Sequence, residues 1–335
     1  MFTYTLRRLL IAIPTLLIIS LIIFLLLEAA PGDPLGDVPL TVPPEVKAKM
    51  REALGLNSAW WVRYLLWLKQ FFWVEPVHLW DYTFGTHFGD GMQRVISFQS
   101  RQPVMAIIAE RMPQTLMVVG LAYIVGVLIA LPIGIISAYK QYSWFDNIGT
   151  FIAMLGFSVP TFFTGVVLII VFAVKLQWFP SVYDTMLEVT DWSSFWQQIR
   201  QMVMPVTVLA LYNAAQISRF MRASMLDNLG QDYVRTARAK GLTENVVVLI
   251  HVLRNSMIPV ITVIALGVPT IFGGAIITEQ VFKVNGLGQQ LILSIYANDL
   301  PMVMTLTFIF AILIVLFNLV ADLLYGILDP RIRYD

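Results

Sequence analysis

Three histidines, seven lysines and no cysteine bound the chemistry open to this chain of 335 residues. Without Cys there is no disulfide, thiolate metal site, iron–sulfur cluster or cysteine nucleophile. None of the lysines precedes Ser or Thr, so the Gly-Lys-Ser/Thr phosphate loop is absent. The His–Glu spacing of zinc sites is absent as well. The expectation is a protein that is not an enzyme, with no catalytic residue, no metal site and no cofactor of its own. Ser158, in Gly156-Phe157-Ser158, has no His within its apolar stretch, since His78, His87 and His251 all lie outside the charge-free apolar windows. Beside Pro160 it reads as a kink or helix-packing residue rather than a nucleophile. Two carboxylates stand out. Asp322, between Ala321 and Leu323, is embedded in apolar sequence, where ionisable groups are functional by default. Asp329 follows closely, so Asp322 lies near the end of its apolar run and reads as structural. Glu279 closes another apolar run, either as a solvated helix end or as an outer gate or a contact for a partner.

The elements that hold these residues follow from the distribution of charge. Hydrophobic residues make up 58% and charged residues 13% of the chain, with net charge +1 and mean hydropathy +0.75. Soluble domains carry about a quarter charged residues. That excludes a soluble enzyme, a disordered chain and a nucleic-acid binder. Charge-free windows run over Leu9–Leu27, Met112–Tyr139, Asn147–Val174, Gln201–Ser218, Asn255–Thr278 and Leu300–Ala321. Each is long enough for a hydrocarbon core that takes about 20 helical residues to cross. The reading is an all-α polytopic membrane protein with six transmembrane helices. All nine Trp fall outside the windows, as interfacial rings should. The first window exceeds the usual signal-peptide length, and Glu28-Ala29-Ala30 is a poor cleavage site, so it reads as a retained span.

Six spans put both termini on one side. That side carries 11 of the 22 basic residues but only 7 of the 21 acidic ones. The positive-inside rule makes it cytoplasmic. The expected organisation is an N-terminal transmembrane helix over 1–28 and an extracytoplasmic segment over 29–111 with amphipathic helices. A five-helix core over 112–328 contains the cytoplasmic loop 219–254, and a cytoplasmic tail covers 329–335. In the extracytoplasmic segment, Pro43-Pro44 starts a helix that runs to Leu54 and stops at Gly55. Ser58 caps a second helix carrying Trp60, Trp61, Tyr64, Trp67, Phe71, Phe72 and Trp73. Such aromatic density suits either a helix on the membrane surface or one packed on the protein's own spans. Glu75–Arg101 reads as irregular.

The loop 219–254 is the most patterned polar segment. Asp232 caps a short helix carrying Arg235, Arg238 and Lys240, and Gly241 stops it. Thr243 caps the next helix, with Glu244 in its first turn. A helix–Gly–helix unit is more than a topology signal requires and reads as a rigid docking element.

These residues carry a resemblance. Asp232-Tyr233-Val234-Arg235-Thr236-Ala237-Arg238-Ala239-Lys240-Gly241-Leu242, followed by His251-Val252-Leu253-Arg254, resembles the cytoplasmic loop of ABC importer permeases. That loop's pattern is Glu-Ala-Ala, three residues, Gly, nine residues, Ile-x-Leu-Pro. The match holds at Ala237, Gly241 and Leu253. It departs at Arg235, Thr236, His251 and Arg254, as in the dipeptide/oligopeptide/nickel subfamily of first-permease type. Arg7-Arg8-Leu9, Pro31-Gly32-Asp33-Pro34, Leu54-Gly55-Leu56, Thr278-Glu279, Gly286-Leu287-Gly288 and Asp329-Pro330-Arg331-Ile332-Arg333 resemble that subfamily too, whereas Val74–Gln99 is atypical.

The resemblance implies a type I ABC importer permease fold in a bacterial-type inner membrane. It implies a second homologous permease, two cytoplasmic ATPase subunits that bind the ATP, and an extracytoplasmic substrate-binding protein. Arg235, Thr236, Ala237, Arg238, Ala239, Lys240, Gly241 and Leu242 would then dock in an ATPase cleft, and ATP-driven closure would rock the permeases between inward- and outward-facing states. The solute would be a peptide or a similar small molecule. Polar or kinked positions that could line its path are Ser158, Pro160, Thr161, Asn213, Gln216 and Thr262. The alternative, an ion- or proton-coupled secondary carrier, calls for mid-span carboxylates or inverted repeats, and neither is evident.

Overall fold

The computed structural model describes residues 2–30, 35–36, 42–53, 55–272 and 275–328. The expected tail 329–335, with its Asp329–Arg333 motif, lies outside the described residues, as does Pro31–Pro34. Among the described residues the chain is helical, with no strand and one isolated bridge between Ile96 and Pro103.

Helix α1 (Phe2–Ala29) is apolar almost all round. Its Thr15 and Ser20 hydroxyls donate to the carbonyls of Ile11 and Leu17, which hides them within the helix as a lipid environment requires. α2 covers Pro44–Ala53. α3 (Trp60–Lys69) begins after Ala59, so Ser58 is not its cap. It does not end where the aromatic run ends. A π turn over Gln70–Val74 leads directly into α4 (Glu75–Phe84), which corrects the expectation of irregular chain from Glu75. The reason is local. Pro76 has no N–H to give an ordinary helical ladder, but the wide turn before it re-routes the bonding, with Glu75 N–H reaching Gln70 O. The helix then stops at Gly85, whose φ of 66° is left-handed.

α5 (Val104–Thr115) passes through a second π turn into α6 (Leu121–Tyr139). Ser143 caps α7 (Trp144–Ser158), accepting from Asp146 N–H. Val159 is extended, as a residue before proline prefers, and α8 (Thr161–Leu168) restarts after Pro160. The two halves of this broken span, Trp144–Ser158 and Thr161–Lys175, are bent by 102°. Asp191 and Ser194 form a capping box that opens the long helix α9 (Trp192–Leu229). The Ser194 amide holds the exposed Asp191 carboxyl below the usual carboxylate range. α10 (Asp232–Ala239), α11 (Glu244–Val246), α12 (Leu253–Phe272), α13 (Ile276–Phe282), α14 (Leu287–Tyr296) and α15 (Leu300–Leu328) complete the order.

Among the described residues, four helical stretches are long and apolar enough to cross a membrane: Thr5–Ala29, Val104–Tyr139, Glu244–Ile271 and Leu300–Leu324. The bent pair makes a fifth candidate. The window Gln201–Ser218 lies within α9, where Gln201, Asn213 and Gln216 make it more polar.

By contacts the chain divides into two units. The first comprises residues 1–8, 114–289 and 314–335, and the second comprises 9–113 and 290–313. In the first, α6 packs on α9 so closely that a Cβ at Gly134 would lie 2.5 Å from Met221 Cβ and 2.7 Å from Ser218 O. At Gly126 it would meet Asn213 Cβ at 2.9 Å. Ser224 and Ser256 exchange hydrogen bonds with each other's carbonyls at 2.8 and 3.2 Å, which joins α9 to α12. Arg8 and Asp322 pair at 3.1 Å, consistent with a structural Asp322. In the second unit, Glu75 is buried and takes a bidentate Arg94 and the Val95 N–H.

Candidate functional site

The 219–254 segment is built from its caps. α9 ends at Gly230, and the Gln231 carbonyl accepts from Val234 and Arg235 N–H, so the next helix is capped at Gln231. Asp232 therefore lies in the first turn, one place later than a cap, where its charge still favours the helix N-terminus. At the other end Gly241 N–H bonds Arg238 O at 2.9 Å and Leu242 N–H bonds Ala237 O at 3.4 Å. This is a Schellman closure, and it needs the left-handed φ of +79° that Gly241 adopts. A Cβ there would meet open space, so glycine is required for its backbone conformation and not for room. Thr243 precedes α11, but its side chain makes no capping bond.

Burial splits α10 into two faces. Val234 and Ala237 are buried, as are Val247 and Val248 on the following π turn (Val247–Val252). Arg235, Thr236, Arg238, Ala239, Lys240, Gly241 and Leu242 are exposed. Of the eight expected docking residues, Ala237 alone faces inward. Arg238 reaches across Gly241 to Glu244, with both guanidinium bonds made at 2.6 and 3.1 Å. The Glu244 carboxylate beside it raises the Arg238 pKa. A second pair anchors the unit from above. Arg222, near the end of α9, makes two bonds to the buried Asp146 at 2.7 and 2.8 Å. Asp146 also accepts the Tyr142 N–H, so the α6–α7 turn, α7 and α9 meet at one carboxylate. Sequence spacing had no signal for this pair, because its members are 76 residues apart.

The expected path residues fall into groups. Ser158, Pro160 and Thr161 lie at the 102° bend. Asn213 and Gln216 lie on α9, and Phe157 stacks on Tyr212 with ring centroids 6.3 Å apart, which brings the bend alongside them. An apolar cavity of about 270 Å³ opens between the bend and α9, lined by Gly156, Val159, Leu211 and Ala215 among others. Asn213 instead packs against Gly126 on α6. Thr262 stands apart on α12, its hydroxyl donating to Ile258 O.

Glu279 is not a solvated helix end; it is 1% exposed. Its carboxylate accepts from Thr115 Oγ1 at 3.1 Å and from Gln289 N–H at 2.9 Å, while Thr115 Oγ1 accepts Leu287 N–H at 2.8 Å. A Cβ at Gly286 would fall 2.5 Å from Thr115 Oγ1 and 2.6 Å from the Glu279 carboxyl. Thr278-Glu279 and Gly286-Leu287-Gly288 are therefore parts of one clamp, with Thr115 as the member that sequence did not reveal. Nearby, Tyr183 N–H bonds Phe282 O at 3.0 Å, and Asp184 exchanges hydrogen bonds with the Gln201 amide. The loop after α8 is thus tied to both α13 and α9.

Apolar spanning helices, a broken span and a compact amphipathic helix at the end of a long one define a helical membrane protein of the transporter class. Residues 130–334 match the family described as binding-protein-dependent transport system inner membrane component, and residues 1–119 match the N-terminal module of such membrane components. The chain belongs to this family and is an inner-membrane permease component. It is 38% identical to the oligopeptide transport system permease protein AppB of Bacillus subtilis, over 100% of both chains. It is 34% identical to the dipeptide transport system permease protein DppB of Alkalihalophilus pseudofirmus, again over 100% of both. A crystal structure of an amino acid ABC transporter with histidines superposes with TM-score 0.50 at 15% identity, covering 66% of this chain and 94% of that one. That likeness concerns the fold.

Proposed function

We propose that this chain is one of two permease subunits of an ATP-driven importer for peptides or similar small solutes. The permease is not itself a catalyst. Two cytoplasmic ATPase subunits bind and hydrolyse ATP, an extracytoplasmic binding protein delivers the solute, and a second homologous permease completes the path. Full-length similarity to peptide permeases supports the solute class. The chain crosses the membrane six times, with α9 as the fourth span and both termini cytoplasmic. Residues 1–28 form the first span, 29–111 the extracytoplasmic segment, 112–328 the core with its coupling loop 219–254, and 329–335 the tail.

The observation that carries the mechanism is the split of α10 into a buried face and an exposed basic face beside the Gly241 turn. Val234 and Ala237 fasten the helix to the permease, while Arg235, Thr236, Arg238, Lys240 and Leu242 meet the ATPase cleft. Displacement of α10 by ATPase closure reaches α9 through Gly230 and reaches α7 through the Arg222–Asp146 pair. The bend at Ser158–Pro160–Thr161, with Asn213, Gln216 and Thr262, lines the path and is the part that moves. Glu279 holds the outer gate through its clamp with Thr115 and Gln289.

The test is reconstitution with the ATPases, the partner permease and the binding protein in proteoliposomes. ATP-dependent peptide uptake and peptide-stimulated ATP hydrolysis are expected. Uptake with the ATPases omitted would overturn the reading in favour of a secondary carrier. Gly241→Asp is expected to insert and assemble but to lose uptake, and normal uptake would defeat the docking assignment.

A further inference from the structure

The helix α3–α4 has a face that the proposed transport cycle does not use. Trp61, Leu65, Phe72, Trp73, Trp80 and Phe84 are between 49% and 62% exposed along its length. Its opposite face shows how deep it lies. Tyr64 Oη is 2.9 Å from Ser20 Oγ on α1, and its ring meets Phe24 with centroids 5.3 Å apart. Ser20 precedes Glu28, the polar end of that span, by eight residues, or about 12 Å at 1.5 Å per residue. An independent ruler is α15. Trp67 Nε1 donates to Thr305 Oγ1 at 3.2 Å, and Phe71 meets Phe308 with centroids 5.1 Å apart. Phe308 lies eight residues beyond Leu300, where α15 begins, again about 12 Å. The polar ends of both spans are marked by charge: Arg63 pairs with Glu28, and the buried Asp299 takes Ser97 Oγ and Phe98 N–H. Both rulers therefore place the inward rings of the helix, Tyr64 to Phe71, below the charged boundary that Arg63 marks, within a half-core of about 15 Å.

The charges on the helix fit that depth. Of its four charged residues, Arg63 pairs with Glu28 and Glu75 with Arg94. Asp81 accepts from Thr86 Oγ1 and from the Phe88 and Gly89 amides. Only Lys69 is exposed, and its long stem reaches an interface from below. A water-facing helix has no need to satisfy its charges internally while baring six large apolar side chains.

We infer that α3–α4 is an embedded helix whose Trp61–Phe84 face contacts the acyl chains of one leaflet. That leaflet is the outer one in the orientation proposed above, but the depth stands whichever side is outer. The helix wedges against α1 and α15 and anchors the 55–103 segment in lipid.

The chain has no Cys, so single cysteines can be introduced at Leu65, Phe72, Ile18 and Asp90 of the assembled transporter. They are spin-labelled in nanodiscs of phosphatidylethanolamine and phosphatidylglycerol, and accessibility to oxygen and to a nickel chelate is compared. L65C and F72C are expected to match I18C on α1 and to exceed D90C in oxygen-to-nickel ratio by about tenfold, because water is absent from the core. Ratios equal to D90C would overturn the inference. So would high nickel access that disappears only when the binding protein is added, which would assign the face to a protein partner. A second readout needs no label: lipids brominated on their tails quench Trp emission, and W61F/W73F/W80F together are expected to lower the quenched fraction. An unchanged fraction would overturn the inference too.

Discussion

Two helices in this chain, α10 and α3–α4, lie at the ends of spans with one face buried against them, and their free faces are opposite in kind. The free face of α10 carries Arg235, Arg238 and Lys240, whereas that of α3–α4 carries Trp61, Leu65, Trp73 and Trp80. A charged free face belongs in water against a protein partner, where charge gives orientation and rate. An aromatic one with its charges satisfied internally belongs in lipid. The caps differ in the same sense. α10 is short and sharply closed by the Gly241 turn, with the Arg238–Glu244 pair reaching across it. α3–α4 is long and passes through a π turn to stay continuous past Pro76.

The contrast can be broken at several points. The largest effect is expected for Glu75→Ala, which leaves Arg94 without its carboxylate in a largely buried site. Breaking a buried pair costs about 3 kcal/mol or more. Thermal unfolding in detergent should fall sharply, and Glu75→Gln should recover part of the loss. Next is Leu65→Glu, a charge placed on the lipid face, with a cost of about 2.5 kcal/mol on the insertion scale. It should reduce the amount of assembled transporter in membranes, while Arg235→Glu on α10 should leave assembly unchanged and lower coupled ATP hydrolysis. A stable, normally abundant Leu65→Glu transporter would remove the distinction between the two faces.

Gly241→Val comes third. A left-handed φ costs a side chain about 1–2 kcal/mol, and open space around the site offers no clash to add to it. Global stability should change little, while the uptake-to-ATPase ratio should fall. Arg238→Ala removes an exposed ion pair worth about 0.2–1 kcal/mol. Its stability change should be near the limit of measurement, and its effect on coupling should shrink as salt is raised. The smallest effect is the acid response of the turn after α4. The Asp81 carboxyl is held below the usual carboxylate range by Thr86 and by the Gly89 and Phe88 amides. A lowered folded-state pKa means that this support is present above the usual carboxylate range and is lost as pH falls through the lowered value. Hydrogen exchange at Phe88 and Gly89, compared at neutral and acid pH, should accelerate beyond the intrinsic change in acid, and Asp81→Asn should abolish that pH dependence.

The helices at the spans were legible because a charge-free run has a cost that any sequence exposes. The helix–Gly–helix build of the 219–254 loop was legible for the same kind of local reason: Gly241 after a basic turn is a stop signal nine residues from the helix start at Asp232. What was read wrongly was also local. Glu75–Phe84, the first part of the stretch expected to be irregular, looked so because Pro76 and Glu75 break an ordinary helical pattern, and a π turn leaves no mark in residue spacing; 85–101 is irregular as expected. Ser58, Asp232 and Thr243 were plausible caps that the chain passes over by a residue or leaves unbonded, within the usual uncertainty of helix ends.

The sequence by itself determined that this is a polytopic helical membrane protein with a patterned, net-basic loop over 219–254 and without a Gly-Lys-Ser/Thr phosphate loop. Hydropathy and glycine chemistry act over a few residues, so no tertiary information is needed to read them. Only the tertiary structure decided that Glu279 is a buried clamp with Thr115, that Asp146 holds Arg222, and that Tyr64 and Phe71 pack against α1 and α15. Each joins side chains at least 44 residues apart, and Glu279 and Thr115 are 164 apart. A carboxylate buried by its partners and one solvated at a helix end have the same sequence; what separates them is where the rest of the chain comes to lie.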